Sequence, residues 1–227
     1  MQSSQDSLAG LNQFENENMS SKNFAQLVRD GKGEQIAGGL TEKALQNEDN
    51  AGVPLVHLFA LYKQLHLIKG KLTSKLVTTT WGPGWTVAHT AAVAGNPAPL
   101  NEVLSKRRHI LYWPDQHGQT PVHLAALHKS LDQFDVKPSH LTIRDNLFTT
   151  PMHYAALRGV LHQVADQLTA EMLLMINWNE ESVLDVLTST NQIIPPALAN
   201  AIWEAEYISV PGKRTWKNVL EHLGIHH

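Results

Sequence analysis

The chain carries 13 histidines and no cysteine, so any metal site or general base would have to be built on imidazole and carboxylate. One histidine invites that reading at once. His123 sits in an apolar run, QTPVHLAALHKS at 119–130, directly after a Thr-Pro pair. His222, His226 and His227 form an H-x-x-x-H, but the Glu of a metalloprotease helix is missing from between them, and a terminal His-His also fits an added tag. GKGEQI at 31–36 opens like a dinucleotide fingerprint and then has Ile where that motif needs glycine, with no strand before it. Neither G-x-S-x-G nor a Walker phosphate loop occurs. The expectation is a chain with no catalytic residue, no cofactor-binding residue and no metal ligand, hence not an enzyme.

The elements that hold these residues follow a period. Leu40-Thr41, Leu72-Thr73, Leu104-Ser105, Val136-Lys137 and Leu168-Thr169 are apolar–polar pairs whose positions, 40, 72, 104, 136 and 168, are each 32 apart. Ile36, Ile68, Leu100, Phe134 and Val164 stand just upstream of them. A second ladder runs through His57, His89, His123, His153 and Asp185 with steps of 32, 34, 30 and 32, so a two-residue insertion ahead of the third rung is cancelled after it. Eight residues before these rungs are Asp49, Trp81, Asp115, Asp145 and Asn177; five before are Gly52, Gly84, Gly118, Phe148 and Glu180.

Thr120-Pro121 and Thr150-Pro151 each place a capping oxygen and a pre-set φ at a helix start, and the alanines that follow let a second helix approach closely. Gly159 breaks that first helix, and VLHQVADQL offers an apolar i, i+3 face for a second one. Thr169 and Lys137 open one more short turn, and Asp-x-x-Gly turns the chain into the next copy. A unit of this kind cannot bury its apolar face alone, so the copies must stack. Six units are expected, near 21–48, 49–80, 81–114, 115–144, 145–176 and 177–205. They follow a polar tail at 1–20 and precede a linker with a short capping helix at 206–227.

DQHGQTPVHLAAL and RDNLFTTPMHYAAL resemble the ankyrin repeat, a unit of about 33 residues containing T-P-L-H-x-A. The resemblance covers about residues 21–205 and implies an all-α repeat solenoid of helix-turn-helix units with projecting turns. It also implies that the motif histidine bonds the Thr hydroxyl of its own motif and backbone of the adjoining turn. That carries to His123 with Thr120, His153 with Thr150 and His89 with Thr86, whereas His57 has Pro54 in the Thr place. His123 is then scaffold. Binding in that family uses the turns and the exposed side of the first helices, which here places Tyr62, Trp85, Arg107, Arg108, Trp113, His117 and Trp178 on a candidate partner-binding edge. The KRRH stretch at 106–109 falls at the insertion, and insertions in such arrays map to one face. Trp81 and Phe148 replace consensus residues, so packing against neighbouring turns is the plainer reading for them.

The function implied is a non-catalytic protein–protein interaction module. An alternative is a targeting or regulatory component of an effector or toxin system, bacterial for example, with the activity in a partner chain. With 18 basic and 21 acidic residues the formal charge is −3, which disfavours a nucleic-acid partner. No apolar run reaches the roughly 20 residues of a membrane span, and the absence of cysteine fits a reducing, cytoplasmic setting, with delivery into a host cell also compatible. The expected partner is another protein, without cofactor.

Overall fold

The computed structural model describes residues 21–190 together with Leu198, Ala201, Ile202 and Ala205. The tail at 1–20, the segment at 206–227 and with it His222, His226 and His227 lie outside the described residues. What is described is mostly helical. None of these helices is long and apolar enough to cross a membrane. The chain divides into two compact units between Ile110 and Leu111, directly after the KRRH insertion.

The first unit holds α1 (Ser21–Arg29), α2 (Glu34–Ala37), α3 (Glu42–Gln46), α4 (Leu55–Leu61), α5 (Ser74–Val77), α6 (Val87–Ala94) and α7 (Asn101–Lys106), with 3-10 helices at Leu65–Lys71 and Ala98–Leu100. A hairpin of two-residue strands, β1 (Thr80–Trp81) and β2 (Trp85–Thr86), precedes α6. The second unit holds α8 (Pro121–Leu127), α9 (Pro138–Leu141), α10 (Pro151–Arg158), α11 (Ala170–Leu173) and α12 (Val183–Ser189), with 3-10 helices at Leu131–Gln133 and Leu161–Gln167. Here α4 packs between α1 and α6, and α10 between α8 and α12.

Sequence explains why these helices start and stop. Thr120 and Thr150 precede α8 and α10 in extended conformation, each followed by a proline at the first helical position, where the missing N–H costs nothing. Five of the first helices run into a left-handed residue, at Gly31, Lys63, Gly95, Lys129 and Gly159 with φ of 76°, 59°, 65°, 64° and 71°. The helices then bury small faces against one another: Ala91, Ala92, Ala125, Ala126, Ala155 and Ala156 are all fully enclosed. At Gly33 the approach is close, since a Cβ there would collide with Oε1 of Gln64. Gln64 uses that oxygen to accept from Gly33 N at 2.9 Å and its amide nitrogen to cap Val28 O, so one buried amide closes the end of α1.

One expectation needs correction. The segment after Gly159 is a 3-10 helix, Leu161–Gln167, with a break at Val164, rather than a second α-helix. Its two buried residues, Leu161 and Val164, are three apart, the period at which a 3-10 helix aligns side chains. Ser105 shares the period of Thr41, Thr73 and Thr169 but not their place. Those three threonines do accept from the N–H three residues on, but Ser105 lies inside α7 with its hydroxyl on Glu102 O at 2.9 Å. The corresponding place belongs to Arg107, which ends α7 and whose carbonyl accepts from Ile110 N. Buried Leu45, Val77, Leu111, Leu141 and Leu173 step by 32, 34, 30 and 32, so the insertion lies ahead of Leu111. Leu104 remains buried because its helix face, not its rung, decides.

Candidate functional site

The motif histidines bond to the helix starts and the turns around them. Nδ1 of His123 accepts the backbone N–H of Thr120 at 3.0 Å and lies 2.9 Å from its hydroxyl. A nitrogen that accepts an amide proton carries none itself, so Nε2 holds the ring proton and donates to Thr149 O at 3.2 Å. His153 repeats this with Thr150 N at 3.2 Å, the Thr150 hydroxyl at 2.8 Å and Glu181 O at 3.2 Å. His89 takes Thr86 N at 3.1 Å and its hydroxyl at 2.8 Å. Each ring therefore ties a helix start, and in the first two cases also the turn beyond it. His57, lacking the hydroxyl at Pro54, turns Nδ1 to Thr90 Oγ1 of α6 at 2.7 Å and Nε2 to Thr79 O at 2.9 Å. Burial pulls the His57 and His123 imidazoles down to about 4 and lowers His153, which keeps all three neutral near pH 7. Among the described residues no three His, Asp or Glu side chains gather as a metal-ligand set.

The turns share one pattern of bonds. Oδ1 of Asp115 accepts from His117 N and Gln119 N at 2.8 and 2.9 Å, and Oδ1 of Asp145 from Leu147 N and Thr149 N at 2.9 Å each. Asp49 and Asn177 do the same for Ala51 and Val53 and for Asn179 and Glu181. Asp49 is also paired with Arg29. Asp145 carries a second load: Tyr154 donates its hydroxyl to Oδ2 at 2.8 Å while accepting from Gln119 Nε2 at 2.8 Å. Trp81, in the acidic place, forms the β1–β2 hairpin instead, its ring 6.5 Å from Trp85 edge-on and 5.9 Å from His57.

The expected edge residues fall on both units, each described by itself. In the first, Tyr62 is 44% exposed, Arg107 and Arg108 are exposed and Trp85 is half-buried beside Trp81. In the second, Trp178 is 69% exposed, Trp113 is 38% exposed and His117 faces out. Sequence reasoning set Phe148 aside, yet it is 46% exposed beside exposed Leu147. Its ring stacks on Trp178 with centroids 6.1 Å apart, and the Arg144 guanidinium lies 5.7 Å from its centre. Phe148 and Glu180 also hold the left-handed position, φ 55° and 60°, that Gly52 and Gly118 fill elsewhere. The signal was present: a bulky residue at a glycine rung is under strain and asks for a reason. His140 was missed as well; buried next to Tyr112, it accepts Lys137 N at 2.9 Å and so caps α9.

No family model matches the chain, and no curated protein matches it.

Proposed function

We propose that the chain is a non-catalytic interaction module of ankyrin-repeat type, an all-α solenoid that binds another protein through its turns and the neighbouring face of its first helices. Support for the architecture comes from the recurring unit: an Asx-built turn, a Thr-capped helix, a histidine bracket and a left-handed helix end, spaced by about 32 residues. The observation that carries the binding role is the apolar tip Leu147, Phe148 and Trp178, where an aromatic ring is held out on a strained backbone rather than folded in. Rigid aromatic side chains cover a partner with little loss of rotamer freedom, and they dominate the energetic centres of interfaces.

The test is capture on immobilised protein followed by mass spectrometry, repeated with variants. Trp178→Ala or Trp113→Ala should weaken the captured partner by about tenfold or more, near 1.4 kcal/mol, with helicity unchanged. His162→Ala, on the exposed 3-10 face away from the turns, should not. A partner retained equally by all of these variants would remove the turns from the interface.

A further inference from the structure

The first unit contains a cavity of about 430 Å³ that shares only Arg107 with the expected partner-binding edge. It lies between the start of α5 and α7, and the chain brings three cations to its wall: Lys69, Lys106 and Arg107. Against them stands one carboxylate, Glu102, so the lining carries a net charge of three minus one, or +2. Glu102 is already engaged, though weakly, by Lys106 at 3.4 Å. The side chains of Lys69 and Arg107 have no partner among the described residues. Arg107 stands there because of the insertion, which carries α7 on to Lys106 and sets Arg107 at its end.

The floor supplies hydroxyls rather than more charge. Thr73 Oγ1 accepts from Leu76 N at 3.2 Å, which leaves its proton free to donate, and Ser74 adds a second hydroxyl. Leu72 and Val103 line an apolar side. Two exposed cations without a protein partner among the described residues, one of them a planar guanidinium fork, together with hydroxyl donors and an apolar shoulder suit a dianion on a short carbon stem. We propose that this cavity binds a phosphate monoester, carried either by a phosphorylated side chain of a polypeptide or by a small metabolite. The proposal shares Arg107 with the expected edge but does not depend on a partner binding through the turns.

The experiment uses the full chain at fixed ionic strength, titrated by calorimetry and by amide NMR with free phosphoserine, a phosphoserine pentapeptide and the same peptide with glutamate in its place. Saturable binding with shifts at Gly70, Thr73 and Ser74 is expected for both phosphorylated probes. Arg107→Gln and Lys69→Gln should each weaken it by about tenfold, while Arg108→Gln, outside the lining, and Trp178→Ala should leave it unchanged. A pentapeptide that binds more tightly than free phosphoserine identifies a polypeptide source; equal affinities identify a small metabolite. The proposal fails if neither phosphorylated probe saturates, if the glutamate peptide binds as well, or if Arg108→Gln weakens binding as much as Arg107→Gln. Thermal melts of each variant separate loss of the site from loss of the fold.

Discussion

Two neighbouring turns of the second unit share a backbone and differ in what they present. In turn 115–119, Asp115 N donates to Gln119 O at 2.8 Å and Gly118 N to Asp115 O at 3.0 Å; in turn 145–149, Asp145 N and Phe148 N make the matching bonds at 2.9 Å each. Each turn is also tied to the next one, through Asn146 N to His117 O and Trp178 N to Leu147 O. Yet the left-handed residue is glycine in one and phenylalanine in the other. At Gly118 a Cβ would stand 2.8 Å from Asn146 N, whereas Phe148, with φ 55° rather than 76°, holds a whole ring outside. Nothing in the bonding of the turn requires that ring. The first turn is built to meet its neighbour closely; the second keeps the same link and carries a surface.

Thr149, at the end of the second turn, is held from below by His123, and this makes acid the strongest lever on the comparison. The unfolded imidazoles titrate at 6.5 while burial holds His57 and His123 at about 4. Between those values the unfolded chain binds protons that the folded one refuses, so stability falls as pH falls through 6.5 and is fully restored above it. Each histidine contributes a slope of about 1.4 kcal/mol per pH unit within that window. Urea midpoints measured from pH 7.5 to 4.5 should decline with that sign, and His123 ring NMR shifts should stay those of a neutral imidazole at pH 5.5. A protonated His123 at that pH would break the account.

Next in size is His123→Ala, expected to cost about 3 kcal/mol, because it leaves the buried Thr120 N–H without an acceptor and opens a cavity. Amide exchange should quicken at Thr120 and Thr149, the two residues the ring ties. Unchanged protection at Thr149 would show that His123 does not hold the second turn.

These residues also show how far the sequence could be read. The histidine brackets were legible through the resemblance, which implies a bond from the ring to a threonine three residues before it, and the local spacing of ring, threonine and helix start leaves room for that bond. The partner of His57 was not, since Thr90 is 33 residues away and enters only once α4 and α6 pack. The rung at Ser105 departs from the others because the helix runs on to Lys106 and its end falls at Arg107, while Leu104 still meets the core. For Phe148 the departure from glycine was visible, but the direction of the ring depends on Trp178 in the next turn, which no local pattern encodes.

Gly118→Ala sharpens the comparison from the other side. It should cost about 2 kcal/mol, combining a positive φ with the contact at Asn146, and thermal melts with intact His123 ring shifts would check it. If alanine were accepted without loss, the close link between the turns would not be what selects glycine there.

The smallest effect tells most about function. Phe148→Gly relieves a bulky side chain of its left-handed backbone, a gain of up to about 1 kcal/mol, against which stand the stacking on Trp178 and the Arg144 contact, together worth about as much at an exposed site. Stability should therefore stay the same or rise slightly, an outcome that a packing residue would not give. Binding to a partner recovered through the turns should meanwhile fall, because the ring and the Trp178 face it orders are both lost. Phe148→Leu separates the two terms: it keeps the strained φ and much of the apolar area but removes the stacked plane, so it should bind at an intermediate level and be the least stable of the three. Should glycine at 148 destabilise the chain by 2 kcal/mol or more, on the scale of a lost buried side chain, then the ring is part of the core of the second unit, and the contrast between the two turns is one of packing alone.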